Sequence, residues 1–131
     1  MAAAESYPSD LKYHRDHDWA RIDGDEAVLG ITWFAADALG ELVHFEPPEV
    51  GATVKKDASY GEAESVKAVS DLIAPLSGEV LEVNQKIVDA PETVNEDPYG
   101  DGWLIRIRMS DPAETDALLD VGAYKQVLAE L

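Results

Sequence analysis

Apolar positions in this chain recur mostly at every second residue, in short runs broken by Gly, Pro, Asn and Asp, which predicts short strands with few helices. Residues 19–22 and 27–31 flank Asp23-Gly24-Asp25, where glycine supplies the positive φ of a tight turn, so an antiparallel pair is expected there. Thr32 can cap a short helix running to Leu39, and Gly40 takes the C′ position that favours a left-handed residue. A strand near 42–45 is ended by Pro47-Pro48, and others are expected at Val54, 58–66, 69–74, 78–83 and 103–109. In the last, Trp103, Ile105, Ile107 and Met109 alternate with Arg106 and Arg108, the signature of a strand half buried and half wet. Asp111, Pro112 and Glu114 place a cap, a first-turn proline and an acid at N3, so a helix should start there, and the stretch to Leu131 also reads as helical. Residues 89–101, rich in Pro, Asn, Asp and Gly, read as loop.

Gly61-Glu62-Ala63 and Val66 reappear seventeen positions later as Gly78-Glu79-Val80 and Val83, which sets Lys67 opposite Asn84 in a faint internal repeat. Lys67 itself stands alone between short acidic and apolar flanks and is followed by a Pro/Ser/Gly turn. Most exposed lysines only solubilise a surface. A lysine on a tight turn between two strands is, however, also a nucleophile that an acyl-transferring enzyme can reach, and acylation turns it into a longer, uncharged tether.

The segment E-S-V-K-A-x-S-D over Glu64 to Asp71 resembles the lipoyl-lysine segment of the glycine cleavage system H protein family. So do HRDHDW ending at Trp19, LGIT from Leu29, ALGELV from Ala38, PEVG from Pro48, SGEVLEVN from Ser77, VNEDPYGDGWLI from Val94 and SDP from Ser110, which together run along nearly the whole chain in order. The resemblance implies a lipoyl/biotinyl-type barrel-sandwich hybrid of two antiparallel sheets, built from two similar halves, with the lysine on a β-hairpin turn. The core hybrid would span roughly 17–109 and a C-terminal helical region roughly 111–131. It further implies a non-catalytic carrier with a lipoyl group covalently on Lys67. That swinging arm takes an aminomethyl group from the pyridoxal-phosphate-dependent glycine decarboxylase, delivers it to the tetrahydrofolate-dependent aminomethyltransferase, and is reoxidised by dihydrolipoamide dehydrogenase. A lipoate-attaching enzyme would load it. Glu64, Ser65, Val66, Ala68 and Asp71 flank the attachment point, and Glu64 and Asp71 either guide the attaching enzyme or solvate the hairpin. Asp18 and Trp33 are the candidates for a groove beside the arm. Asp18 stands where the family commonly has Glu, and Trp33-Phe34 replace a more polar pair, so these two aromatics either line the groove or fill core.

Two other classes stand beside this reading: a carrier of the same fold that is biotinylated or relays lipoyl groups to other enzymes, and an unmodified β-rich interaction module. Biotinyl lysines usually sit between methionines, whereas Lys67 lies between Val66 and Ala68.

A chain of 131 residues is expected to be one domain with enough core to stand without staples, and a monomer. With no cysteine it has neither disulfides, nor a thiol nucleophile, nor a thiolate-bound zinc. The start MAAAESYPSD has neither a secretory nor an Arg-rich transit pattern, which suits a bacterial cytoplasm, although a mature mitochondrial form would look similar. Net charge is −17, from 27 acidic and ten basic residues, so nucleic acid and anionic membrane are poor partners and basic docking faces good ones. His14 and His17 have only His44 to complete a metal set and read as structural; the acidic run from Asp16 to Asp25 lacks the pattern of a helix-loop-helix calcium site. Ser65 and Ser70 beside Lys67 lack an oxyanion loop, so a Ser-Lys hydrolase is disfavoured.

Overall fold

A computed structural model describes residues 2–131. Two antiparallel sheets form its body. The larger runs in the order β1 (Lys12–Tyr13), β2 (Asp18–Asp23), β3 (Glu26–Ile31), β9 (Ile105–Met109), β8 (Gly78–Val83) and β5 (Thr53–Val54). The smaller runs β4 (Leu42–Glu46), β6 (Ser59–Ser65) and β7 (Val69–Ile73). The sheets do not merge into a closed barrel. One apolar cluster joins them, with Leu29, Ile31, Val80 and Ile107 from the larger sheet meeting Phe45, Tyr60, Ala63 and Leu72 from the smaller. Removing this surface from water is the main stabilising term, and the period-two alternation in the strands is what directs it to one side.

The β2–β3 hairpin turns at Gly24, whose φ is +64°, as the Asp-Gly-Asp sequence requires. Gly30 follows from packing instead: a β-carbon there would collide with the ring of Trp19, its cross-strand partner. The repeat is structural in its first half-turn, since β-carbons on Gly61 and Gly78 would each meet a carbonyl oxygen of the neighbouring strand, Glu46 and Arg108 respectively. It ends at the turns. Strands β6 and β7 are joined tightly, whereas Asn84 caps α2 (Gln85–Asp89) and the chain reaches β9 only after α3 (Thr93–Glu96).

Helix α3 corrects the reading of 89–101 as loop, and α2 precedes it where no element was expected. Buried Ile87, Thr93 and Val94 supply too few apolar positions to show a period, and the helices exist because tertiary packing overrides a Pro/Asn-rich sequence. The start at Asp111 is real, its side chain accepting from the Ala113 amide, but residues Pro112–Ala117 form a 3₁₀ helix. Glu114 does not close a capping box: its carboxylate accepts from the amide and hydroxyl of Ser77 at 2.7 and 2.9 Å, tying this segment to the start of β8. After it, α4 (Val121–Ala129) is capped by Asp120 and packs Tyr124 into a second cluster with Leu11, Tyr13 and Trp19. None of the described helices is long and apolar enough to cross a membrane.

Candidate functional site

Lys67 lies at the tip of the β6–β7 hairpin, exposed, beside Val66, which is 85% exposed. The turn has only Val66 and Lys67 between its paired ends, the Ser65 amide donating to the Ala68 carbonyl at 2.8 Å. Two-residue hairpin loops normally take positive φ. Here neither central residue does, and the buried Ser65 hydroxyl compensates: its oxygen accepts from the amides of Lys67 at 3.3 Å and Ala68 at 3.2 Å. A side-chain oxygen thus takes the place of a backbone acceptor, the local motif that serine favours in turns. The same engagement removes Ser65 as a nucleophile.

The hairpin flanks divide between core and solvent. On β6, Glu62 and Glu64 point outward while Ala63 and Ser65 are buried, and across the smaller sheet the register places His44, Glu64 and Val69 in one row and Glu46, Glu62 and Asp71 in the next. Both Glu64 and Asp71 are exposed and therefore reachable by another protein.

The structure does not bring Asp18 into an open groove. It is 2% exposed at the start of β2, and its Oδ1 has no hydrogen-bond partner among the described residues. Burial raises its carboxyl well above the ordinary carboxylate range, with the Asp16 charge adding to the effect. The buried Tyr60 hydroxyl, also without a partner, is pushed up by burial and by Asp18. Trp33 is half-buried at the start of α1 (Trp33–Leu39), its indole donating to the Ala3 carbonyl at 2.7 Å. With Ala36, Asp37, Gly40, Glu41 and Asn95 it lines a cavity of about 280 Å³, whereas Phe34 turns to the His17 ring, 4.5 Å away.

Sequence reasoning missed Asn95, which lay in the supposed loop. Its Nδ2 donates to the carbonyls of Ala36 and Gly40 at 3.3 and 2.9 Å, and its Oδ1 accepts from the Leu42 amide at 2.9 Å. Only the Val-Asn-Glu context of the quoted family segment marked it. Two of the histidines are tied into the fold: His14 bonds Asp57 at 2.6 Å, and His17 bonds the Tyr124 hydroxyl at 2.8 Å, which also bonds Thr32, the cap of α1. Among the described residues no group of three His, Asp or Glu is placed to hold a metal ion.

Residues 11–131 match the family described as glycine cleavage H-protein. A glycine cleavage system H protein of Anaeromyxobacter sp. strain K is 54% identical over 94% of this chain and 96% of its own length. That of Symbiobacterium thermophilum is 52% identical over 89% and 91%. The crystal structure of a glycine cleavage system H protein from Mycobacterium marinum superposes with a TM-score of 0.86 at 44% identity, covering 95% of this chain and all of the other. With the two-sheet fold, the quoted segments in order and the family match running to the last residue, the chain belongs to the glycine cleavage H-protein family.

Proposed function

We propose that Lys67 is the attachment point of a lipoyl group and that the chain carries aminomethyl groups, and then electrons, between the enzymes of the glycine cleavage system. As a member of that family it is a carrier component, not itself a catalyst. What supports Lys67 is its placement: an exposed primary amine at the outermost point of a hairpin whose own amides are already satisfied by Ser65. An attaching enzyme can enclose such a tip without unfolding it, and the amide then forms between Nζ and an activated lipoyl carboxyl as the activating group leaves.

When bound, the lipoyl group supplies a disulfide that takes the aminomethyl carbon from the pyridoxal-phosphate-dependent decarboxylase and, after delivery to the tetrahydrofolate-dependent aminomethyltransferase, a dithiol for dihydrolipoamide dehydrogenase to reoxidise. The protein's residues orient the stem and present its surface. Tethering raises the local concentration of the cargo near a docked partner to about the millimolar range. Glu64 and Asp71, exposed on the face beside the tip, provide the acidic flank that a basic attaching enzyme reads.

Intact mass with peptide mapping on protein from its own host tests the assignment. A lipoyl adduct on Lys67 is expected, and a bare Lys67 in a lipoate-making host overturns it. Lys67→Arg is expected to keep the fold by circular dichroism and to abolish glycine cleavage in a reconstituted mixture.

A further inference from the structure

Although Lys67 is exposed, its stem runs close to the backbone of the neighbouring corner at Gly40. Strand β4 pairs with β6 so that Leu42 faces Ser65, and extending that register by two residues sets Gly40 opposite Lys67. The side chain follows: a β-carbon placed on Gly40 would stand 3.4 Å from Lys67 Cε and 3.8 Å from Nζ. Across from the lysine there is thus bare backbone, close enough that even a methyl group there would touch the stem at ordinary van der Waals distance without displacing it. Gly40 has φ +86° and ψ −170°, a conformation closed to other residues, so it is the backbone at the end of α1 that keeps this contact surface glycine.

That backbone is held by Asn95, whose three hydrogen bonds reach the residue four before Gly40, Gly40 itself and the residue two after it. Asn95 in turn comes from α3, and its own carbonyl accepts from Ala3 at 2.9 Å. No bond of the asparagine touches Lys67. It acts on the lysine only by fixing the shape of the 40–42 corner.

On the reading that Lys67 carries an acyl arm, we propose that Gly40 is a seat for the stem of that arm and that Asn95 is the positioning residue that holds the seat. The seat fixes the lysine methylenes while the distal carbons stay free to enter a partner. A partner then has fewer rotors to order on docking, and immobilising a long side chain is costly enough to change affinity several-fold.

The test uses the full-length protein, lipoylated and checked by intact mass. In wild type, nuclear Overhauser effects are expected between the Lys67 ε-methylene and the Gly40 α protons. Gly40→Ala, which strains the corner at its positive φ, and Asn95→Ala, which releases it, are expected to shift the corner, to lose them and to raise the KM for the carrier in the glycine decarboxylase exchange reaction about five-fold with kcat kept. Asp120→Ala, which removes the remote cap of α4, is the stability control and is expected to keep both signals. Absent Overhauser effects in wild type, wild-type KM in the folded Gly40 and Asn95 variants, or an equal KM rise in Asp120→Ala each overturns the proposal. Failure of the carrier reading looks different: the mass lacks a lipoyl adduct, while the Overhauser contacts of the bare lysine still report on the seat.

Discussion

Ser65 shows how one residue can set the geometry of a presented lysine. Its hydroxyl accepts two amide hydrogens in a turn whose central residues avoid positive φ, so Ser65→Ala leaves both amides to water and loosens the tip. The expected cost is about 1 kcal/mol, read as a lower urea midpoint with unchanged slope, together with slower lipoylation by the attaching enzyme. Asp18 makes the opposite case, a residue whose natural charge works against the fold. Its folded pKa is raised, so the folded state holds a proton that the unfolded chain releases at about pH 3.9. The stability it contributes is full below that pH and is lost as pH rises through the folded value. Asp18→Asn should therefore melt above wild type at pH 7, with the difference shrinking as pH falls toward 4. A difference that stays constant with pH would show that the carboxyl is not the cause.

Among the elements, the strands were the most legible part of the chain because their signal is local. A hydrophobic residue at every second position, with Gly or Asp-Gly at the ends, is all that β2, β3 and β9 need, whereas β6 and β8 break the alternation at bulges. Helix α1 was equally plain, since Thr32 and Gly40 mark its ends by side-chain and backbone chemistry that no partner has to supply. The misses all depend on distant residues. Strand β1 is two residues long and is defined by its pairing to β2 and by the bridge from Tyr13 to Leu119; α3 rests on packing, and Glu114 chose Ser77 over its own helix. The site divided in the same way. The hairpin that presents Lys67 was readable from one contiguous stretch, whereas Asn95 acts across 53 to 59 residues of chain and Asp18, expected beside a groove, is buried at the start of β2. The Tyr124 hydroxyl is another such long link, joining α4 to the cap of α1 and to His17. Tyr124→Phe keeps the stacked ring on Tyr13, 4.7 Å away, and removes only the shared hydroxyl. It is expected to cost about 1–2 kcal/mol by thermal or urea unfolding, because His17 and the buried Thr32 hydroxyl each lose a hydrogen bond at once, Thr32 keeping the Ala35 amide.

For the whole molecule, charge is arranged differently on the two sheets. On the larger one the wet face is neutralised strand by strand, Arg106 bridging Glu26 at 2.6 Å and Glu82 at 2.8 Å and Arg108 reaching Glu79 at 3.5 Å. On the smaller one, the face that carries Lys67, Glu46, Glu62 and Asp71 sit directly opposite one another across three strands. Like charges so placed weaken a sheet by a fraction of a kcal/mol each, roughly 0.2–1, and a cationic partner surface would relieve that repulsion. The field of this face, in a chain of net charge −17, reaches as far as salt allows, about 30 Å at 0.01 M and 8 Å at 0.15 M ionic strength. On the proposed carrier function, raising salt over that range should therefore raise the KM of the lipoylated protein for its partner enzymes while leaving kcat in place, since the transfer would take place at the end of an acylated, uncharged arm. Free lipoamide, which lacks the protein surface, supplies the comparison and should show no such trend. Glu62→Gln combined with Asp71→Asn should flatten the salt dependence without changing the attachment site. If the KM of the intact carrier is as insensitive to salt as that of free lipoamide, the acidic face serves solubility and not docking.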